Sequence, residues 1–146
     1  MIRFNNDYNH GAHPEILEAL SAVNDNSFGG YGEDEWCKKA ADLIRERVHC
    51  PDAAIHFFPG ATQANFIVIA SALSSVQSVI AADTGHINCH EAASVENTNH
   101  KIQTIPNTDG KITATQIDAC AGAYYEENEP EYYTEPKMVY LSFPTE

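Results

Sequence analysis

Basic residues are scarce in this sequence. Lys and Arg number 8 against 21 Asp and Glu, so the formal net charge is -13. A field of that sign repels phosphate backbones and anionic lipid headgroups, which argues against nucleic-acid and membrane-surface binding. Long apolar runs are lacking as well, because the longest one, over residues 66–70, is far shorter than the roughly 20 residues of a spanning helix. The N-terminus carries no apolar targeting segment, and we therefore expect a soluble, cytoplasmic protein.

Closely spaced cysteine pairs are also absent. The four cysteines form no Cys-x-x-Cys unit, which argues against a disulfide framework and against a structural zinc site. His86, Cys89, His90 and Glu91 do lie close together in sequence, so a metal site has to be weighed there. Their spacing matches no recurring set of zinc ligands. We predict reduced thiols and no bound metal.

The sequence does contain an alternation of apolar patterns. Its 146 residues, 43% of them hydrophobic, suffice for one domain with one core. Apolar residues at helical spacing predict helices over residues 14–23, 33–48, 61–73 and, after a capping box at Thr113, to about residue 125. Compact apolar runs predict strands over residues 53–58, 78–82, 101–105 and 138–143. A helical turn or two is expected over 90–95. This alternation predicts a three-layer α/β/α fold with a mostly parallel sheet.

Ligands of such folds bind beyond the carboxyl ends of the strands. The segments that directly follow predicted strands are 59–65, 83–91 and 143–146. In the first of them, Gly60 and Ala61 carry little or no side chain and Thr62 adds a hydroxyl. Backbone N–H groups at the start of the next helix can therefore close on an anion such as a phosphate. The alternative is that Gly60 serves only the geometry of a strand-to-helix turn.

Two further side chains are candidates for a binding site. His86 closely follows a predicted strand, where its imidazole can lie flat against a ligand ring. Tyr31 stands among glycines at the end of an irregular loop, so a sharp bend can present its phenol; the alternative is an aromatic packed within a turn. Glu91 either anchors a neighbouring side chain or is simply a polar residue of a helical turn.

Five short motifs follow one another along the chain. They are Asn6-Asp7, the Leu-Glu-Ala-Leu of residues 17–20, the Tyr-Gly-Glu-Asp of 31–34, the Pro-Gly-Ala-Thr-Gln-Ala-Asn of 59–65 and the His-Ile-Asn-Cys-His-Glu-Ala of 86–92. In this order they resemble the pyridoxal-phosphate enzymes of the threonine aldolase and β-eliminating lyase family. The resemblance implies an N-terminal arm, helix and interface loop over residues 1–32. Residues 33–146 would then form the N-terminal part of a cofactor-binding large domain of the aspartate aminotransferase-like fold (fold type I).

The resemblance also implies how a cofactor is held. Gly60, Ala61 and Thr62 would bind the phosphate of pyridoxal 5'-phosphate at the start of a helix. His86 would stack on the pyridine ring and act as a catalytic residue. Both roles agree with the physical preferences of the groups, since a phosphate favours N–H donors and a π-system favours an aromatic face.

A substrate and an assembly follow from the same resemblance. Asn6 would lie near the carboxylate or hydroxyl of a small amino acid substrate. Tyr31 would reach the active site of a neighbouring subunit, in a homodimer or homotetramer. The implied reaction is aldol-type cleavage of a threonine-like β-hydroxy-α-amino acid to glycine and an aldehyde, in which the cofactor acts as the electron sink.

The sequence departs from the family pattern in several places. Gly60-Ala61 stands where Ser-Gly is usual, Asn6 replaces a serine, and Ala93-Ser94 replaces paired glycines. More important, none of the five lysines can be nominated to form a Schiff base with the cofactor, and the aspartate that pairs with the pyridine nitrogen is also missing. The family supplies both later, and the sequence ends just after a predicted strand. We therefore expect a truncated chain that is inactive alone.

The same residues are compatible with other functions. A phosphate loop and a stacking histidine do not choose the reaction, so another lyase, a racemase or a transaminase on the same scaffold is an alternative. A second alternative is a catalytically inactive homologue that serves as an interaction module. A third is a histidine-rich metal-binding domain, built around His86 and His90.

Overall fold

The computed structural model describes residue 6 and residues 8–145, and the predicted partner of Asn6 in the first motif, Asp7, lies outside the described residues. The chain divides into two compact units, Met1–Phe57 and Phe58–Glu146. The predicted division after residue 32 stays a prediction. No helix in the described part of the chain is both long and apolar enough to cross a membrane.

The described part of the first unit contains two helices, as predicted. Helix α1 runs over Pro14–Val23, with proline in its first turn, where the missing N–H costs no hydrogen bond. Helix α2 runs over Glu35–Arg47 and is capped by Asp34, whose carboxylate accepts from the backbone N–H groups of Trp36 and Cys37. Acidic residues at its start and arginines at its end match the helix dipole.

The second unit alternates helices and strands. Its elements in chain order are α3 (Ala61–Ala72), β1 (Gln77–Ala82), α4 (His86–Cys89), β2 (Lys101–Ile105), α5 (Ala114–Tyr125) and β3 (Glu135–Val139). Short 3-10 helices at Glu96–Thr98 and Pro130–Tyr132 lie between them. The capping box predicted at Thr113 is present, since its hydroxyl accepts from Gln116 N and the Gln116 side chain accepts from Thr113 N.

The strands form a parallel sheet in the order β2-β1-β3. Side chains alternate across β1, so Val79 and Ser78 lie on opposite faces. Val79 belongs to the core cluster that includes Ile69 of α3. On the other face, the Ser78 hydroxyl accepts from Gln103 of β2, and the Cys120 thiol of α5 donates to the same Gln103 side chain. Helices therefore cover both faces, which confirms the three-layer α/β/α prediction.

The strand predicted over residues 53–58 is wrong. The segment is not assigned as a strand, and within the described part of the chain no strand pairs with it. An apolar run becomes a strand only when its backbone groups have a ladder partner. Here Arg45 Nε donates to Ala53 O at 2.9 Å, while Phe57 and Phe58 remain 47% and 38% exposed.

The last predicted strand lies earlier than expected. It was predicted over 138–143, whereas β3 spans Glu135–Val139. Side chains of β1 anchor its start: the Gln77 amide donates to the Glu135 carboxylate at 3.1 Å, and the Ser78 hydroxyl donates to Glu135 O at 3.1 Å. Pro136, which has no N–H for the ladder, coincides with an irregularity of register beside Ser78. The apolar pattern did not reveal these polar anchors.

The helical turn predicted over 90–95 is also displaced. The helix occupies His86–Cys89 instead, and the chain then turns with positive φ values of 49° at Ala92 and 61° at Ala93. A left-handed pair ends any right-handed helix. The displacement matters for the site, because it places His86 at the first position of α4.

Candidate functional site

The turn after β1 brings His86 directly to the carboxyl end of the central strand. Gly85 N donates to Ala82 O at 2.9 Å. A Cβ atom at Gly85 would lie 3.0 Å from Ala82 O and 3.5 Å from Ala81 Cβ. Glycine is therefore favoured here, because a side chain would push against the Ala82 carbonyl oxygen. The tight turn therefore places His86 in the chain only four residues after the end of β1.

Asp83 fastens this turn to the neighbouring strand. Its carboxylate accepts from Asn107 Nδ2 at 2.6 Å and from Asn107 N at 3.0 Å. These bonds, the side-chain one first, hold the pKa of Asp83 below its usual range. Its carbonyl accepts from the Asn88 amide at 2.7 Å. The ends of β1 and β2 and the start of α4 are thus held together by one residue.

A buried carboxylate holds the His86 ring. The Glu91 side chain is 0% exposed, and its Oε1 atom lies 2.8 Å from His86 Nδ1. The same oxygen accepts from Asn65 Nδ2 at 2.5 Å, and Oε2 accepts from the Ser94 hydroxyl at 2.8 Å. With Glu91 ionised, its carboxylate only accepts, and the tautomer of His86 that fits this contact donates from Nδ1. The other ring nitrogen, Nε2, is left for a ligand or water.

The start of α3 offers backbone donors to an anion. Gly60 is the N-cap residue and gives no side-chain cap, and the first turn holds no acidic residue. The first helical bond runs from Ala64 N to Gly60 O, so the N–H groups of Ala61, Thr62 and Gln63 have no acceptor within the helix. A Cβ atom added at Gly60 would meet nothing within 4 Å. The position in front of the helix is therefore open.

Asn65 connects these two features. It lies in α3, one turn beyond Ala61, and its amide donates to the carboxylate that holds His86. The predicted phosphate-binding residues Gly60, Ala61 and Thr62 and the predicted stacking residue His86 thus belong to elements joined by a chain of two hydrogen bonds. Their roles in binding stay predictions.

Asn6 and Tyr31 belong to the first compact unit. The Asn6 side chain accepts from Tyr8 N at 3.2 Å. Tyr31 is fully exposed, and its backbone φ is 63°. A bulky residue in the left-handed region is strained, and such strain is frequent at functional sites. The proposed contacts of both residues with substrate or a second subunit stay predictions.

The neighbouring histidine and cysteine do not converge with His86 on one point. The His86 and His90 rings are tilted, with centroids 5.5 Å apart, and the Cys89 thiol donates to Asp83 O at 3.1 Å. Among residues 6 and 8–145, no group of three or more metal-ligating side chains is found.

Sequence reasoning missed two members of the hydrogen-bonded cluster. From the sequence, Asn65 and Ser94 have no assigned role in the site, and Glu91 has either an anchoring role or none. The distance of 26 residues between Asn65 and Glu91 gives no local signal. A glutamate five residues after a candidate histidine was the available hint, but its burial is a property of the fold.

Comparisons with known proteins bear on the whole chain. A family model described as beta-eliminating lyase matches residues 7–146. Low specificity L-threonine aldolases from a Pseudomonas species and from Pseudomonas aeruginosa are 28% and 27% identical over 99% of this chain. The chain spans 41% of the length of each. A solved structure of Leishmania major threonine aldolase superposes with a TM-score of 0.91 and 42% identity, over 97% of this chain and 40% of that one.

Proposed function

Because the chain belongs to the beta-eliminating lyase family, we propose that the intact protein is a pyridoxal-phosphate-dependent carbon-carbon lyase. Its substrate would be threonine or a similar β-hydroxy-α-amino acid, cleaved to glycine and an aldehyde. The observation that carries the proposal is the open, uncapped start of α3 linked by Asn65 and Glu91 to a fixed imidazole. Similarity to threonine aldolases over nearly the whole chain supports the choice of reaction.

The donor set at the start of α3 fits a phosphate group. Ala61, Thr62 and Gln63 offer backbone N–H groups, the Thr62 hydroxyl adds a donor, and no acid in the first turn opposes an anion. Gly60 leaves room for the approach of the ligand. When bound, pyridoxal phosphate supplies a ring that draws off the electrons of the bond being broken.

His86 has two parts in the proposal. Its face would stack on the pyridine ring, which is compatible with a side chain that is 36% exposed. Since Nδ1 donates to Glu91, Nε2 is the ring nitrogen able to take a proton from the substrate hydroxyl, directly or through water. The carboxylate keeps the neutral ring in the tautomer that carries its proton on Nδ1, so that Nε2 is free to accept.

The first unit would contribute the substrate side and the subunit contact. Tyr31 is exposed and strained, which suits a side chain that completes a site on another subunit. Asn6 would lie near the substrate carboxylate or hydroxyl. We therefore include a homodimer or homotetramer in the proposal.

The residues that complete the chemistry would lie outside these 146 residues. Lys38, Lys39 and Lys137 form ion pairs with Asp42, Glu35 and Glu135 respectively. Lys101 begins β2, at the amino end of that strand, opposite the edge where a ligand binds. Lys111 follows the Asp109-Gly110 turn and lines a cavity with Ala82 and Gly85, but the family resemblance implies that the Schiff-base lysine lies later in the protein. We propose that the lysine and the aspartate that bind the cofactor come from elsewhere in the protein.

The test is a product assay on the intact protein. Apoprotein is supplied with pyridoxal phosphate and threonine, and glycine, acetaldehyde and the visible absorbance of protein-bound cofactor are measured. We expect both products and the band, and at least about tenfold slower cleavage in His86→Ala. Cofactor absorbance without cleavage of threonine would contradict the proposed substrate and favour a racemase, a transaminase or another lyase. Absence of the band would contradict the cofactor and favour an inactive interaction module.

A further inference from the structure

Glu91 is the most fully buried acidic side chain near the candidate site. Its carboxylate is 0% exposed and accepts hydrogen bonds from Asn65, His86 and Ser94. Burying a carboxylate is unfavourable unless its oxygens are bonded. Here three donors bond to the two carboxylate oxygens, which offsets the cost of burial. The donors come from α3, from α4 and from the turn that follows α4.

The backbone around Glu91 is shaped to bring it back to His86. Ala92 and Ala93 have φ values of 49° and 61°, and Ser94 N donates to Glu91 O at 3.0 Å. Left-handed conformations in two consecutive alanines are unfavourable. They form a tight turn in which the Ser94 hydroxyl donates to the Glu91 carboxylate.

The two elements proposed to hold the cofactor meet at this carboxylate. Asn65 lies one turn beyond the phosphate-binding start of α3, and His86 begins α4. Both donate to the same oxygen, Oε1. A shared acceptor fixes the position of one donor relative to the other, because each bond keeps its heavy atoms within about 3 Å.

We propose that Glu91 is a positioning residue for the cofactor. It fixes the plane and the tautomer of His86, and through Asn65 it fixes the spacing between the stacking ring and the phosphate-binding helix. This inference rests on the proposed function. It assigns a definite role to Glu91, for which the sequence alone allowed either an anchoring role or none.

Two conservative substitutions separate geometry from charge. Glu91→Gln can keep the three bonds: its carbonyl oxygen accepts from Asn65 and His86, and its amide donates to the Ser94 hydroxyl. Glu91→Asp keeps the charge but is one methylene shorter, so the carboxylate no longer reaches all three partners. We expect Gln to retain cofactor affinity within about threefold and Asp to lose about tenfold, the worth of roughly one hydrogen bond.

The experiment is a double-mutant cycle on cofactor binding by the intact protein. The dissociation constant of pyridoxal phosphate from apoprotein is measured for wild type, Glu91→Ala, His86→Ala and the double variant, with thermal melting of each. We expect Glu91→Ala to weaken binding about tenfold in the wild-type background and not at all when His86 is already alanine. The exposed Glu96 provides the matched control, and Glu96→Ala should leave binding unchanged.

The other outcomes would contradict either the positioning role of Glu91 or the proposed function. If Glu91→Ala weakens binding equally in both backgrounds, Glu91 acts on general stability and the positioning role is wrong. If Glu91→Ala does not fold, the contrast between Glu91→Asp and Glu91→Gln decides, and equal affinities would overturn the role. If wild type binds no pyridoxal phosphate, the proposed function fails instead.

Discussion

The two compact units have similar apolar sequence patterns but differ in how far their apolar side chains are buried. In the second unit, Ile69 of α3 is 2% exposed and Val79 of β1 is fully buried. In the first unit, α1 has no buried residue, and Ile16 and Leu20 of its apolar stripe are 52% and 59% exposed. Helical spacing therefore predicts that a helix forms. It does not predict what covers the apolar face.

The difference has an energetic consequence. Burial of a large aliphatic side chain contributes about 1.5–3 kcal/mol, and the second unit contains a connected cluster of such residues. In the described part of the first unit, Ala41 is the only buried hydrophobic residue. Stability of the described structure should therefore reside mainly in the sheet and its helices.

The largest expected effect is a cavity in the core of the second unit. Ile69→Ala should lower the free energy of unfolding by about 3 kcal/mol, because buried atoms are removed and a void remains. The preceding residue, Val68, is 51% exposed, and Val68→Ala should change stability by less than about 0.5 kcal/mol. Chemical denaturation measures both. Equal losses would mean that the outer face of α3 is covered too.

A smaller effect is expected at the start of α5. Thr113→Ala removes the cap whose hydroxyl accepts from Gln116 N and should cost about 1 kcal/mol. Thr115, exposed in the first turn of the same helix, is the control. Thr115→Ala should be neutral or slightly stabilising, since alanine is the better helix former. A loss at Thr115 as large as at Thr113 would contradict the capping role.

Relief of backbone strain should have the opposite sign. Ala93 has φ 61°, and Ala93→Gly should raise the thermal midpoint, with a gain of up to about 1 kcal/mol. Ala123 lies exposed in α5, where Ala123→Gly should cost about 1 kcal/mol. If both glycines destabilise, the turn after Glu91 does not have the left-handed backbone described above.

The smallest effect is a dependence on pH. The native pKa of Asp83 lies below its usual range because Asn107 donates to it, so its contribution to stability is present above about pH 4 and is lost as pH falls through the native pKa. The pKa of Asp34 in the first unit is also lowered, chiefly by hydrogen bonds from Cys37. The stability difference between wild type and Asp83→Asn should shrink on acidification. A difference independent of pH would contradict the Asn107 contacts.

The sequence predicted the periodic elements best. Helix α1 and strand β2 have the predicted bounds, and the parallel three-layer fold is confirmed. The family resemblance is confirmed by the match over residues 7–146. The predictions failed where pairing partners decide the structure: residues 53–58 have no ladder partner in the described part of the chain, and β3 begins at polar anchors on Glu135.

The candidate site was predictable only as separate pieces. His86 follows β1 as the strand-end rule expects. Gly60, Ala61 and Thr62 were predicted from a strand over 53–58 that the structure does not contain, and what remains of that prediction is the start of α3. The connection between α3 and His86 depends on Glu91, and contacts formed across 26 residues of sequence cannot be read from local patterns. A buried polar cluster is a property of packing, so the structure was needed to find it.

The open start of α3 is proposed to bind the phosphate of pyridoxal phosphate. Gly60 has an extended backbone with room for a side chain, so Gly60→Asp should fold normally and even cap the helix. Its carboxylate would occupy the free N–H groups and repel the phosphate. The decisive measurement is the dissociation constant of pyridoxal phosphate from the intact apoprotein, for wild type, Gly60→Asp and the uncharged control Gly60→Ala. We predict at least about tenfold weaker binding for the aspartate variant, with an unchanged or higher melting temperature. Equal affinity of wild type and Gly60→Asp would mean that the phosphate does not bind at the start of α3.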